Sequence, residues 1–175
     1  MIIIGIDPGL NGAVAALQPA DHEGDEYILD AIDLPTMPDG TKRQIDEMEL
    51  ARWLRLVTLG KPARAIIENV RAMPSIPGAG GERRSMGSAS SFRFGLAAGQ
   101  LRSTIRMAGI PLEFVESASW KKWFGLRGGN KEESRQRALE LWPFSAYLLK
   151  RKMDHQRAEA MLIAKYGNRP LIGRN

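Results

Sequence analysis

Cysteine is absent from the 175-residue sequence, which excludes disulfides and thiolate metal sites and fits a reducing compartment. Long apolar runs are absent too. None approaches the length of a membrane span, so no membrane partner is expected. The N-terminus carries no basic stretch ahead of an apolar one and no cleavage-site pattern, so no signal peptide is read there. A cytoplasmic protein is the expectation. No internal repeat is visible. The remainder is ordinary for a globular chain, with 43% hydrophobic and 26% charged residues. Its length suits a single domain, residues 1–175, around one core.

Basic residues are scarce in the first third. Residues 1–60 hold 4 Lys+Arg against 11 Asp+Glu, whereas residues 61–137 hold 14 against 6 and residues 138–175 hold 7 against 3. The net charge of +5 is therefore carried by the later part of the chain. A basic majority confined to one region points to a polyanion such as nucleic acid. The plainer alternative is that these side chains solvate helices.

Apolar patterning places a strand at residues 2–6, a second at GAVAALQ and a third at YILDAID, joined by connections short enough for antiparallel neighbours. ADHEGDE is a polar, acidic turn, and LPTMPDGTKR, with two prolines and a glycine, reads as loop. IDEMELARWLRLV is helical, with Ile45, Met48, Leu54 and Val57 at helical spacing beside Ala51. RAIIEN is a fourth strand, and residues 71–91 read as a mobile basic loop. FRFGLAAGQLRSTIRMAG is a helix with a stripe of Phe92, Leu96, Ala97, Leu101 and Ile105. PLEFV is a fifth strand and SASWKKWFG a short helix entered at a serine. Two more helices start at Asn130 and Asp154, the second ending near Gly167. Opening antiparallel strands followed by strand–helix alternation predict an α/β fold: a mixed five-stranded sheet with helices on both faces.

Two carboxylates stand at strand ends. Asp7 closes the first strand and is followed by Pro8 and Gly9, so it is either the start of an ordinary turn or a charge held on a rigid support. Glu68 closes the fourth strand. If these strands are parallel neighbours, both acids emerge in the crevice at the carboxyl ends, where open α/β sheets place their sites. Acids so close repel and raise one pKa, a cost that a divalent cation removes. Hard oxygen ligands suit Mg²⁺ or Mn²⁺. On the last helix His155 and Glu159 are four residues apart and share a face, and Glu159 sits between Ala158 and Ala160. Asp154 is either a structural N-cap or a further acid turned towards the crevice. His155 is either a ligand or a surface or packing histidine.

The motifs DPGLNGA, IIENV, AMP, SSFRFG, SWKKWFGL, NKEES and DHQRAEAMLIAKYG, in this order and spacing, resemble the RuvC-type Holliday junction resolvases. The likeness is strongest to their phage-like branch, within the ribonuclease-H-like superfamily. It spans about residue 2 to residue 167. DPG by itself is weak, since sugar kinases and actin-like ATPases also open on a strand, an aspartate and glycines.

The resemblance implies a metal-dependent nuclease in a bacterial or phage-infected cell. Asp7 matches the first metal aspartate, Glu68 the glutamate ending the fourth strand, and Glu159 the final acid. The family's remaining ligand, an Asp or His three residues before that acid, is Gln156 here. Asp154, or failing that His155, is therefore expected to supply the fourth group. Lys131 resembles the lysine beside the scissile phosphate, and Lys121 or Lys122 the other DNA-facing lysine. The family's aromatic wedge falls near Arg71, where there is no aromatic, which leaves arginine and Met73 to open the junction. Two Mg²⁺ ions, or Mn²⁺, would be held by Asp7, Glu68, Asp154 and Glu159. The products would be nicks with 5′-phosphate and 3′-hydroxyl ends. Symmetric cutting of a four-way junction implies a two-fold homodimer, with the Phe92–Ile105 stripe facing the partner, packing on the sheet, or both. Arg71, Arg83, Arg84, Arg93, Arg102, Lys121 and Lys122 are expected to line the DNA surface.

Three rivals remain. A related nuclease would cut flaps or forks, and a non-catalytic relative would only bind junctions. A sugar-kinase-like ATPase needs a second phosphate loop and a duplicated domain, for which 175 residues leave no room.

Overall fold

IIIGID is apolar at every position but its last, as a strand covered on both faces requires. The computed structural model describes residues 1–19, 26–69, 76–77, 83–84, 87–127 and 130–169. Its elements in chain order are β1 (Ile2–Asp7), β2 (Ala13–Gln18), β3 (Tyr27–Asp33), β4 (Thr36–Asp39), β5 (Lys42–Ile45), α1 (Glu47–Thr58) and β6 (Ala63–Glu68). There follow β7 (Ile76–Pro77), β8 (Arg83–Arg84), α2 (Ser88–Met107), β9 (Leu112–Val115), α3 (Ser117–Trp123), α4 (Lys131–Leu141) and α5 (His155–Gly167). Short 3₁₀ segments occupy Pro143–Leu148 and Lys152–Asp154.

Five strands form one mixed sheet in the order β3-β2-β1-β6-β9. β1, β2 and β3 are antiparallel neighbours, and β1–β6 and β6–β9 are parallel pairs. This is the predicted architecture. The β1–β2 turn depends on Gly9, whose φ of +123° is open to glycine and to few other residues. Alternation along β1 divides the core. Ile2, Ile4 and Ile6 pack with Leu50, Leu54, Leu101 and Ile105 of α1 and α2 on one face. Ile3 packs with Ala160, Met161 and Ala164 of α5 on the other.

Several elements depart from the sequence expectation. LPTMPDGTKR, expected as loop, supplies most of a β4–β5 hairpin that turns at Gly40, where φ is +57°. Pro38 is compatible with it because the ladder has only two strands, so an edge is available for a residue with no N–H. α1 begins later than its periodicity implied. Asp46 caps it by accepting a hydrogen bond from the Glu49 N–H at 2.9 Å, which leaves Ile45 in β5. The helix buries Leu50, Trp53 and Leu54, while Met48 is 79% exposed. α2 starts at Ser88, within the stretch expected to be loop. Its predicted stripe divides: Ala97, Leu101 and Ile105 are buried, whereas Phe92 and Leu96 are 72% and 43% exposed. Asp154 precedes α5 as expected, but its side chain makes no capping bond to that helix. ADHEGDE falls largely, and residues 70–75 fall wholly, outside the described residues. Among the described residues, no helix is long and apolar enough to cross a membrane.

Candidate active site

Strand alternation aims the two acids at the same helix. Ile3 lies on the α5 side of β1, so Asp7, four residues on, shares that side. Ile66 lies on the α5 side of β6, and Glu68 follows it by two. The β1–β6 register runs to Ile6 opposite Ile67, which brings Asp7 and Glu68 to the next step of adjacent parallel strands. α5 lies unusually close to this sheet. A Cβ on Gly5 would stand 2.1 Å from the Ala160 carbonyl oxygen and 2.4 Å from the Ala164 nitrogen. No side chain fits between strand and helix there. Glu159, one residue before Ala160, is thus fixed beside the end of β1.

A cavity of about 220 Å³ opens at this sheet end, lined by Asp7, Glu159, His155 and Gln156, with Lys121, Leu126, Asn130, Lys131 and Ser134. Burial pushes the Asp7 carboxyl well above its ordinary value, and the negative charges of Glu159 and then Glu68 push it further. Lys121 and Lys131 act in the opposite sense without cancelling the rise. Glu159 Oε1 accepts a hydrogen bond from Ser134 Oγ at 3.1 Å and lies 3.6 Å from Lys121 Nζ. Glu68 Oε2 accepts from the indole N–H of buried Trp120 at 2.8 Å. Asn130 caps α4, its Oδ1 accepting from the Glu132 N–H at 3.0 Å, and so sets Lys131 at the head of that helix. His155 Nδ1 is 3.2 Å from the Lys152 carbonyl oxygen. A carbonyl only accepts, so this contact needs the proton on Nδ1, which in the neutral ring leaves Nε2 as an acceptor.

The fold brings together Asp7, Glu159, His155, Lys121 and Lys131, with Glu68 electrostatically coupled to Asp7. Asp154, expected to complete the acidic set, is held elsewhere. It is 2% exposed, and its Oδ2 and Oδ1 accept from the backbone N–H and the Nε of Arg151, each at 2.7 Å. Arg151 also donates to Asp33 at 2.9 Å, and Arg157 Nε donates to Asp33 at 2.7 Å. The physical reason is competition. An arginine three residues away on a tight 3₁₀ turn takes both oxygens, and Asp154 is not among the residues lining the cavity. These bonds raise the Arg151 pKa, and chiefly the Arg157 hydrogen bond lowers that of Asp33.

The expected DNA-facing residues are dispersed. Lys121 and Lys131 line the cavity, and Lys122 lies in an adjoining groove. Arg93 is exposed on α2, and the Arg102 guanidinium stacks over the Phe114 ring, 4.8 Å from its centroid. Arg83 and Arg84 form β8, where only the backbone is described. Arg71 and Met73 lie outside the described residues. Sequence reasoning missed Ser134 and Trp120, the partners of Glu159 and Glu68. Ser134 lies three residues after Lys131 and so shares its helix face, a spacing that would have pointed to it.

The donor set fits a hard divalent cation in its chemistry. Asp7, Glu68 and Glu159 offer only oxygen, and their mutual repulsion is what a cation relieves. Among the described residues, however, no three carboxylate or imidazole groups already stand in ligating geometry. Glu159 is turned to Ser134 and Lys121, and Glu68 to Trp120.

No protein-family profile matches the chain, and no curated protein does. Solved structures do match. The structure of T. thermophilus RuvC in complex with Holliday junction substrate superposes with a TM-score of 0.64 at 16% identity, covering 97% of this chain and 95% of that one. A Thermus thermophilus RuvC structure superposes with a TM-score of 0.60 at 18% identity, covering 96% of each chain. At such identity the likeness is one of fold, and it runs over nearly the whole length. The chain has the ribonuclease-H-like fold of the RuvC Holliday junction resolvases.

Proposed function

We propose that this chain is a structure-specific DNA endonuclease that resolves four-way junctions by paired symmetric nicks, acting as a homodimer on branched DNA. The observation that carries the reading is the coupling of Asp7 to Glu68 and Glu159, at the end of parallel strands beside Lys121 and Lys131. Such a cluster costs folding energy, and it is explained if its charge is used. The RuvC fold over nearly the full chain supports the choice of substrate, since one of the similar structures holds a Holliday junction.

In this reading Asp7, Glu68 and Glu159 would hold two divalent ions, Mg²⁺ or Mn²⁺, with His155 Nε2 available as a further donor. Bound there, the ions supply an activated water and charge stabilisation for the departing 3′-oxygen. Lys121 and Lys131 bring the scissile phosphate to the acids. Ser134 and Trp120 orient Glu159 and Glu68 through single hydrogen bonds. The products carry 5′-phosphate and 3′-hydroxyl ends. The second cut needs a second site related by a two-fold axis, and exposed Phe92 and Leu96 on α2 offer an apolar start for that contact.

The test is cleavage of a synthetic four-way junction in Mg²⁺ by wild type, Asp7→Asn and Glu68→Gln. Loss of cleavage in both variants is expected, and wild-type-like cleavage by either would sink the site. A panel of labelled flaps and forks decides between junction resolution and broader branched-DNA cleavage. One observation favours a second reading, a non-catalytic junction-binding relative: the cavity presents Gln156 where the family carries a ligand. Metal-dependent nicking by the wild type excludes it.

A further inference from the structure

The cavity beside Asp7 does not end at Lys121. Lys121 and Leu126 also border a second, wider groove of about 570 Å³, completed by α3 and the turn after it. The two spaces adjoin along this shared wall. Among the described residues, three cations, Lys121, Lys122 and Arg127, line the groove, and no carboxylate does. They are not equivalent. Lys121 is drawn towards the acids, 3.6 Å from Glu159, and lies over the Trp120 ring at 5.0 Å from its centroid. Lys122 and Arg127 are exposed, and among the described residues neither side chain has an ion-pair partner. The Arg127 backbone N–H donates to Glu133 at 3.1 Å, which anchors the chain at the edge of the groove that Arg127 lines. Ala118 and Leu126 add apolar surface to the same groove.

We infer that this groove is a one-sided track for the cleaved strand, in which Lys122 and Arg127 bind the phosphodiester groups next to the scissile one. The inference rests on the proposed nuclease reading and deepens it by fixing where the strand leaves the site. A strand passing the acids must carry its neighbouring phosphates away from Asp7, Glu68 and Glu159. Among the described residues, the adjoining groove offers the charges of Lys122 and Arg127 and is lined by no acid. Phosphate contacts read no sequence, but they set register. Lys122 and Arg127 are therefore positioning residues. They bring the scissile phosphate opposite Asp7 without touching it.

The test uses the full chain with Asp7→Asn, so that bound junction stays intact, with and without the exposed substitutions Lys122→Gln and Arg127→Gln. Each phosphate flanking the crossover is replaced in turn by a neutral methylphosphonate, and junction affinity is measured. With Lys122 and Arg127 present, neutralising one or two phosphates on one side of the cut should weaken binding roughly ten- to a hundredfold, as loss of a charge-assisted contact does. In the Gln variant the same replacements should cost nothing further. The slope of log affinity against log salt should fall by about two, one for each lost phosphate contact. Additive losses at every phosphate on both sides would overturn the track. Cleavage by the wild type without this coupling removes the track and leaves the nuclease reading. Coupling without any wild-type cleavage removes the nuclease reading and supports the track as a binding element. Absence of any DNA binding overturns both.

Discussion

The two faces of the sheet are packed by opposite means. Under α5, backbone meets backbone: Gly5 lies against Ala160 and Ala164, and the buried helix positions are mostly small. On the other face, large side chains keep helix and strand apart, with Ile2, Ile4 and Ile6 meeting Leu50, Trp53, Leu54, Leu101 and Ile105. Side-chain packing adapts to substitution, whereas close backbone contact fixes distance. The face with no slack is the one that sets Glu159 beside Asp7. The adaptable face carries one of the two core clusters and leaves Phe92 and Leu96 in solvent at one end of α2.

Substitutions that break this contrast come first. Gly5→Ala should destabilise the protein by about 3 kcal/mol or more, because the new methyl meets backbone that cannot rotate away. Urea unfolding measures the loss, and junction cleavage should fall with it even under folding conditions. Leu101→Ala, on the opposite face, should cost about 2–3 kcal/mol through a cavity alone. Its kcat should stay near wild type, and a fall matching that of Gly5→Ala would erase the distinction between the faces.

Smaller effects sharpen the comparison. In metal-free protein the folded state keeps a proton on Asp7 that the unfolded chain releases above its ordinary pKa of 3.8. Stability from this group therefore falls as pH rises from that value to the raised folded value. Asp7→Asn removes the loss and should raise Tm at neutral pH by about 2–4 °C, the shift that about 1 kcal/mol gives at this size. A lower Tm would mean that the carboxylate is not crowded. Ser134→Ala should reduce kcat by about 10–100-fold, the range for loss of a ligand's outer partner, and leave Tm within a few degrees. Least of all, Gly99→Ala on the exposed face of α2, with nothing near its added methyl, should stabilise by about 0.5–1 kcal/mol. Calorimetry showing destabilisation there would mean that this helix face is already occupied.

Much of the candidate site was legible because its signals are local. An apolar strand ending on an acid is visible in IIIGID and again in ARAIIE, and Glu159 stands out between alanines. The parallel direction of β1 and β6 follows from strand–helix–strand order, whereas their adjacency, which unites Asp7 and Glu68, is seen only in the sheet. What was not legible depends on partners distant in sequence or on competition. The β4–β5 hairpin is mostly exposed, so it lacks the alternation that marks a strand. The phase of α1 was set by the Asp46 cap rather than by its apolar spacing. Asp154 reads as an available acid until Arg151, itself tied to Asp33 of β3, occupies it. Ser134 and Trp120 become parts of the site only when α4 and α3 fold over the acids they bind.

Under the proposed function, Asp7, Glu68 and Glu159 act together on a four-way junction, and Asp154 stands outside the reacting group. Single-turnover cleavage of a synthetic junction in saturating Mg²⁺, comparing wild type, Glu159→Gln and Asp154→Asn, tests it most directly. Paired nicks are expected from the wild type, a loss with Glu159→Gln beyond the roughly 10–100-fold expected for an outer partner, and cleavage retained by Asp154→Asn. Cleavage that survives Glu159→Gln, or that Asp154→Asn abolishes together with metal binding in a folded protein, would contradict it.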